Sequence, residues 1–188
     1  MPEILGALVF VLLVGMVLAR VAQMRGKGIE AMNFGKIDRK DFLIPPFALF
    51  YFYLILAAAF GLPAVSTQEF FSPGDAAWLG VFFCLAGLAF FFWSLVSFGE
   101  SFRVGIDADH PGGLVTSGAF ALSHNPIYVA FGLVLLGQFL IYPNWIRLVY
   151  LAAGFWLFHR QVLREEASLK QRYGGEYADY CRRVPRYL

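Results

Sequence analysis

The sequence predicts an all-α integral membrane protein: five transmembrane helices, the last two a short hairpin, then a cytoplasmic amphipathic helical tail. Three observations carry this. Of 188 residues, 59% are hydrophobic and 15% charged, against roughly 25% charged in a soluble domain. The apolar residues gather in long runs, and mean hydropathy is +0.63. The basic residues alternate between connecting segments. With 21 Phe, 9 Tyr and 4 Trp, a soluble domain of this size lacks the interior to bury its apolar side chains. A soluble enzyme, a disordered linker and a collagen-like chain are excluded. One domain is expected over residues 1–188.

The spans follow in order. Residues 4–22, 42–62 and 76–98 each have about the length needed to cross a hydrocarbon core of roughly 30 Å at about 1.5 Å per residue. The apolar run from 126 to 158 is too long for one crossing and is interrupted by Pro143-Asn144. It reads as two arms, 126–142 and 145–160, joined by a tight turn. Both arms are short for a crossing, which tilt or local thinning of the bilayer would accommodate.

Charge sets the orientation. Only Glu3 precedes the first span, and no basic residue lies between the second and third. Arg25, Lys27, Lys36, Arg39 and Lys40 lie between the first two spans, and Arg147 alone marks the hairpin turn. The tail carries Arg160, Arg164, Lys170, Arg172, Arg182, Arg183 and Arg186. This alternation predicts an N-terminus outside and a cytoplasmic tail. The first span lacks a basic leading region and is followed by a basic segment, so it reads as a span rather than a signal peptide.

The net charge of +2 and the lack of a basic run with interleaved aromatics give no reason to expect nucleic acid. Cys84 lies in an apolar run and Cys181 in the charged tail, depths that disfavour a disulfide. His110, His124 and His159 are scattered, and no metal site is expected. Gly15/Ala19 and Gly80/Cys84 offer small-residue faces for helix contact.

Polar residues within the spans are few: Ser94, Ser97 and Gln138, with His159 and Arg160 at an end. No Asp or Glu lies within a span, which argues against a proton-coupled transporter. Ionisable residues concentrate in two segments on the cytoplasmic side, 99–128 and 159–188. That suits a site at the membrane surface, where a soluble reactant meets a lipid-borne one. The first segment holds Arg103, Asp107, Asp109, His110 and the turn Pro111-Gly112-Gly113. It ends in Ser123-His124-Asn125-Pro126-Ile127-Tyr128, which reads as a helix start with Asn125 as N-cap and Pro126 in the first turn. Free N–H groups at such a start also suit an anionic group. Tyr128 reads equally as a membrane-interface aromatic. In the second segment, Leu169, Tyr173, Tyr177 and Tyr180 recur at helical spacing, and Gly174-Gly175 would end one helix and let another begin. Glu165 and Glu166 read either as a solvated acidic pair beside Arg164 or as carboxylates turned inward to hold a cationic ligand group.

The run LVTSGAFALSHNPIY (114–128), two apolar arms, and REEASLKQRYGGEYADYCRRVPRYL (164–188) together resemble the isoprenylcysteine carboxyl methyltransferase family. The wider group includes the membrane phospholipid N-methyltransferases. The resemblance covers roughly residues 100–188. It rests on a Leu-Val-x-x-Gly turn, a Pro-x-Tyr helix start, a short hairpin, a Glu-Glu pair and a Gly-x-x-Tyr-x-x-Tyr tail. It implies a methyltransferase that uses S-adenosylmethionine without a soluble-type nucleotide fold, and no acidic-Gly-x-Gly-x-Gly turn occurs here. The cofactor region would comprise about residues 100–128 and 159–188, with an apolar acceptor entering from the lipid.

By the same resemblance, Leu114, Val115 and Gly118 would line the cofactor, and Phe120 would pack on its adenosyl part. Asn125, Pro126 and Tyr128 would flank it at the helix start. Glu165 would hold the cofactor's ammonium, with Glu166 as partner acid. Arg103, Arg160 and Gln161 are the candidates to meet the acceptor. The sequence departs from the family at two places. The usual Arg-His-Pro or Arg-Asn-Pro is His124-Asn125-Pro126, so a titratable group replaces a fixed cation. The Arg one turn before the acid pair, thought to meet a prenylcysteine carboxylate, is Gln161.

The resemblance thus points to methyl transfer to a lipid-like or small apolar nucleophile: a carboxylate, a thiol or a lipid amine. A thiol or ammonium must lose a proton, and His124, with Tyr128 beside it, is the candidate acid–base group. Two other readings share the features. Membrane sterol reductases, which use NADPH, have a similar His-Pro-x-Tyr region and tyrosine-rich tail, but longer chains. A non-enzymatic scaffold would keep the fold without the chemistry.

Overall fold

The computed structural model describes residues 1–26, 44–63, 65, 69–99 and 113–188. Among these, five helices account for the fold: α1 (Pro2–Gly26), α2 (Ile44–Phe60), α3 (Gly74–Phe98), α4 (Pro126–Ile141) and α5 (Trp145–Arg183). A 3₁₀ turn, Gly118–Ala121, precedes α4. No strand forms among the described residues; Glu69 and Asn144 make one isolated bridge. The all-α class holds. α1 and α3, 25 residues each, are long and apolar enough to cross a membrane. α2 and α4 are apolar but shorter, 17 and 16 residues. The expected start of the second span (42–43), the basic residues Lys27, Lys36, Arg39 and Lys40, and the segment 100–112 with Arg103, Asp107, Asp109 and His110 lie outside the described residues.

α3 and α4 pack closest, and glycine makes that possible. A Cβ on Gly80 would lie 2.6 Å from the Gly137 carbonyl, and one on Gly137 would lie 2.5 Å from the Gly80 carbonyl. Real Cβ atoms do not approach that closely, so the two backbones touch only because both side chains are missing. The Gly80/Cys84 face is therefore used inside the chain, against α4. Gly15 has open space around it and Ala19 is exposed.

Three further contacts fix the bundle. Phe91 and Leu95 of α3 pack with Leu13, Val21 and Met24 of α1 and with Ala130 and Val134 of α4. Tyr51, Leu54 and Ile55 of α2 pack with Ala7 and Tyr150. Gln138, buried in α4, donates to the Gly6 carbonyl (2.7 Å) and points at Cys84 Sγ (3.7 Å), tying α1, α3 and α4 together. Large apolar side chains face outward on four helices, among them Leu8, Leu12, Leu49, Phe60, Phe82, Leu85, Phe92, Val149 and Trp156. An apolar exterior on this scale is what lipid, not water, accommodates.

The break at Pro143-Asn144 is a tight turn, as the sequence predicts. Asn144 Oδ1 accepts from Arg147 N (2.9 Å) and caps α5. Arg147 is buried, and its guanidinium donates to the carbonyls of Leu54 (3.0 Å) and Tyr142 (3.3 Å). From there α5 runs on through the expected end of the span into the tail. Its backbone breaks only at Gly174, with φ 51° and ψ −116°. The glycine break expected in the tail is thus present. The boundary expected near residue 160 is not, because the helix continues unbroken from apolar into charged sequence.

Candidate functional site

The polar end of the bundle is assembled from four pieces: the end of α3, the segment 113–125, the first turn of α4, and the second half of α5 with the residues after it. Gly118, with φ 64°, lets the chain turn tightly against α3: a Cβ there would collide with Ser97. Ser97 Oγ accepts from Ala119 N (3.0 Å). Phe120 is buried edge-on against Phe98, centroids 4.8 Å apart. From the other side Tyr180 donates its hydroxyl to the Phe120 carbonyl (2.6 Å).

The residues after α5 fold back over this segment. His124 N donates to the Pro185 carbonyl (3.0 Å). Ser123 Oγ donates to the Arg186 carbonyl (3.1 Å) and accepts from Asn125 N (3.0 Å). Tyr187 Oη lies 2.8 Å from His159 Nδ1.

α4 starts where the sequence predicts, with Pro126 in its first turn. Asn125 occupies the N-cap position, but its side chain makes no capping bond. This corrects the expectation. Asn125 Nδ2 instead donates to Glu166 Oε1 (3.1 Å) and to the Arg186 carbonyl (3.2 Å). The buried carboxylate and the tail carbonyl compete successfully for a side chain that local sequence assigns to the helix.

The two acids stand in different surroundings. Tyr128 donates its hydroxyl to Glu165 Oε1 (2.7 Å), and Gln161 Nε2 donates to the same oxygen (3.0 Å). Among the described residues no cationic side chain pairs with Glu165. Its enclosure pushes the carboxyl above the usual carboxylate range, and the two hydrogen bonds only partly offset that. Glu166 is held by Arg186: Nε lies 2.9 and 3.1 Å from the two carboxylate oxygens, and Nη2 lies 2.9 Å from Oε2. The solvated acidic pair is thereby excluded for both residues.

His124 is enclosed against Tyr180, centroids 4.8 Å apart. Its Nδ1 lies 3.9 Å from Glu166 Oε1 and 3.8 Å from Cys181 Sγ. His124 Nε2 and the Tyr177 hydroxyl are buried without hydrogen-bond partners among the described residues. Such orphans in a polar region are what a missing ligand or water leaves behind. Burial also pushes the Tyr177 and Tyr180 hydroxyls upward, so both stay protonated donors.

The other expected site residues are placed as follows. Leu114 and Val115 are half-buried in extended chain on the approach to Gly118. Arg160 lays its guanidinium over the Trp156 ring, 5.7 Å from the centroid. Gln161 faces Glu165 rather than standing apart. Arg103 lies outside the described residues. Ser97, Ser123 and Arg186 join the site without having been expected there; Ser97 stood out only as a polar residue within a span. Arg186 was visible only as one basic residue of a basic tail, and Ser123 only as part of a helix start.

The fold and this site define a helical membrane protein with a carboxylate pair enclosed at one end. A family model described as phospholipid methyltransferase matches residues 76–176, more than half of the chain. The chain belongs to that family. It is therefore a membrane methyltransferase by family, within a group whose members generally use S-adenosylmethionine. No curated protein and no solved structure matches it. The match takes in α3, the segment before α4, α4 and α5 up to its glycine break. Tyr177, Tyr180 and Arg186 lie beyond it.

The residues fit the cofactor. S-adenosylmethionine presents an ammonium, a carboxylate, a sulfonium and an adenosyl group. Among the described residues the site offers a carboxylate without a cation (Glu165), a guanidinium (Arg186) and unpartnered buried polar atoms (His124 Nε2, Tyr177 Oη).

Proposed function

We propose that this chain is an integral membrane methyltransferase that takes S-adenosylmethionine at its polar end and methylates a lipid-like or small apolar nucleophile. The observation that carries the reading is Glu165: a carboxylate of α5, enclosed, fixed by Tyr128 from α4 and by Gln161, and without a cationic partner among the described residues.

The alternation of basic residues between connecting segments supports five crossings, with the N-terminus outside and the tail in the cytoplasm. Helix length supports the same layout. Counted from Trp145, about 20 residues at about 1.5 Å each span roughly 30 Å, the thickness of a hydrocarbon core, and arrive at Glu165. The acid pair then stands at the boundary where soluble cofactor and membrane-borne acceptor meet.

Bound there, S-adenosylmethionine supplies a methyl group activated on a sulfonium. The chain's residues bind, orient and exclude water. Glu165 holds the ammonium through Oε2, because both of its internal donors are directed at Oε1. Tyr128 and Gln161 fix the rotamer of that carboxylate. Glu166, Asn125 and Pro126 shape the opposite wall. Leu114, Val115, Gly118 and Phe120 form the side facing the adenosyl group, with Phe120 braced by Phe98. Arg160 stands on the acceptor's side. Most of the acceleration comes from alignment and from exclusion of water. Where the acceptor is a thiol or an ammonium, His124 receives the proton at Nε2, its uncommitted nitrogen.

Titration calorimetry of the detergent-purified protein with S-adenosylhomocysteine, beside Glu165→Gln and with NADPH as control, tests this. Binding of the homocysteine compound that weakens at least about thirtyfold in the variant is the expected result. Binding of NADPH alone would move the chain to the reductases, and binding of neither would leave a scaffold.

A further inference from the structure

We propose that Arg186 is a specificity-determining residue of the cofactor site: its outward guanidinium edge receives the carboxylate of the cofactor's amino-acid end while Glu165 receives the ammonium. This rests on the cofactor reading above.

Arg186 is 46% exposed at its side chain, yet it is not a loose surface residue. Its carbonyl accepts from both Ser123 Oγ and Asn125 Nδ2, and the preceding carbonyl accepts from His124 N. Three donors from the segment before α4 thus fix its backbone. Its guanidinium is fixed as well, because Nε and Nη2 engage Glu166. Arginine carries five N–H donors in a rigid plane. The Nη1 donors have no acceptor among the described residues, and neither does the second hydrogen of Nη2. A guanidinium held along one edge and open along the other is preorganised for a carboxylate, with little left to order on binding.

Charge selects the ligand. Arg186 neutralises Glu166, so the pair Glu166–Arg186 carries no net charge. Of the two acids, Glu165, on the adjacent position of α5, is the one left uncompensated among the described residues. Tyr128 and Asn125, one turn apart at the start of α4, reach Glu165 and Glu166 respectively, so one helix start serves both acids. An isolated carboxylate beside an open guanidinium edge is complementary to a zwitterion, not to a simple cation or anion. The free α-amino acid group of S-adenosylmethionine is such a zwitterion. Gln161 has no charge with which to meet a carboxylate, and it is committed to Glu165. Arg186 lies past residue 176, where the family match ends.

The test compares two ligands that differ only in the carboxylate: S-adenosylhomocysteine and its decarboxylated analogue, titrated into the full-length protein, Arg186→Ala and Arg186→Lys. The wild type is expected to prefer the carboxylate-bearing ligand by about tenfold or more, the range of a charged hydrogen-bonded pair. Arg186→Ala is expected to erase that preference while its Kd for the decarboxylated ligand moves by less than about threefold. Arg186→Lys, which keeps the charge but not the planar edge, is expected to lower the preference by several-fold. It decides the matter where the alanine variant does not fold. A preference that survives Arg186→Ala, or that Arg186→Lys leaves undiminished, overturns the inference, and so does an equal weakening of both ligands, which would make Arg186 a structural clasp. Wild-type protein that binds neither ligand overturns the cofactor reading itself; wild-type binding with an unaltered preference overturns only the role of Arg186.

Discussion

At the hairpin end of the bundle, Arg147 is 3% exposed and gives its guanidinium to two backbone carbonyls, those of Leu54 and Tyr142. At the tail end, Glu165 receives two hydrogen bonds on a single oxygen and no cation among the described residues, while its neighbour Glu166 is closed off by Arg186. Both ends bury charge. At the hairpin the charge clamps α2 to the turn, and its partners are atoms every residue carries. At the tail the partners are side chains from the start of α4, from α5 and from the residues after it, and Glu165 is left without a cation among the described residues. Burial of a charge alone therefore does not mark a functional site. What distinguishes the tail is that side chains of separate helices orient its carboxylate, whereas at the hairpin backbone carbonyls hold Arg147 and leave its Nε buried without a partner among the described residues.

Mutations can break that contrast, beginning with the largest effect. Glu165→Gln removes the open charge. It should weaken S-adenosylhomocysteine binding by about 2–5 kcal/mol, the cost of losing one partner of an enclosed charge pair, while leaving the thermal midpoint no lower than wild type. Arg147→Met should do the reverse. It loses two carbonyl hydrogen bonds, a destabilisation of about 1–3 kcal/mol, read as a lower midpoint in detergent with the ligand Kd unchanged. If Arg147→Met abolished binding while Glu165→Gln did not, the assignment of the two ends would be inverted.

Acidity sharpens the contrast further. Glu165 is pushed above the ordinary carboxylate range by its enclosure. Ammonium binding needs the ionised form, so ligand affinity should be full above that raised value and fall away as the pH drops through it. Stability has the opposite sign. Because the folded value lies above the unfolded one, ionising Glu165 costs the fold stability; the protein is favoured below the unfolded value and loses that advantage as pH rises through the folded one. Glu165→Gln should flatten both profiles, and a profile it leaves unchanged would assign the titration to another group.

The smallest effect expected is that of Tyr128→Phe. It removes one of two donors to Glu165, worth about 1 kcal/mol, and leaves the carboxylate less stabilised. The acid limb of binding, measured by calorimetry across pH, should therefore move to higher pH. A shift to lower pH, or none, would mean the hydroxyl does not support the ionised acid. Gln161→Leu should act in the same direction.

Much of this architecture is legible in the chain itself. The apolar runs, the Pro126 helix start, the Pro143-Asn144 turn and the Gly174 break are local features. A proline without an N–H, or a glycine free to take positive φ, fixes the backbone wherever it occurs. The acid pair was legible as well, because carboxylates directly after an apolar run stand out against composition. The longer reach of α5 was not, since continuation of a helix into charged sequence is settled by what packs on it.

The sequence by itself determined the helical membrane class, the order of the helices and the residue types gathered at the polar end. Only the tertiary structure decided who pairs with whom. Asn125 left its capping role for Glu166, 41 residues away. Tyr128 reached Glu165 across 37 residues, and Arg186 folded back 20 residues onto Glu166. Gly80 and Gly137, on separate helices, let two backbones meet. Helix starts, turns and spans are set by neighbours within a few residues, where sequence spacing is spatial spacing. Pairings across tens of residues depend on how whole helices pack and on which unmatched charge most needs a partner, and no local pattern encodes that competition.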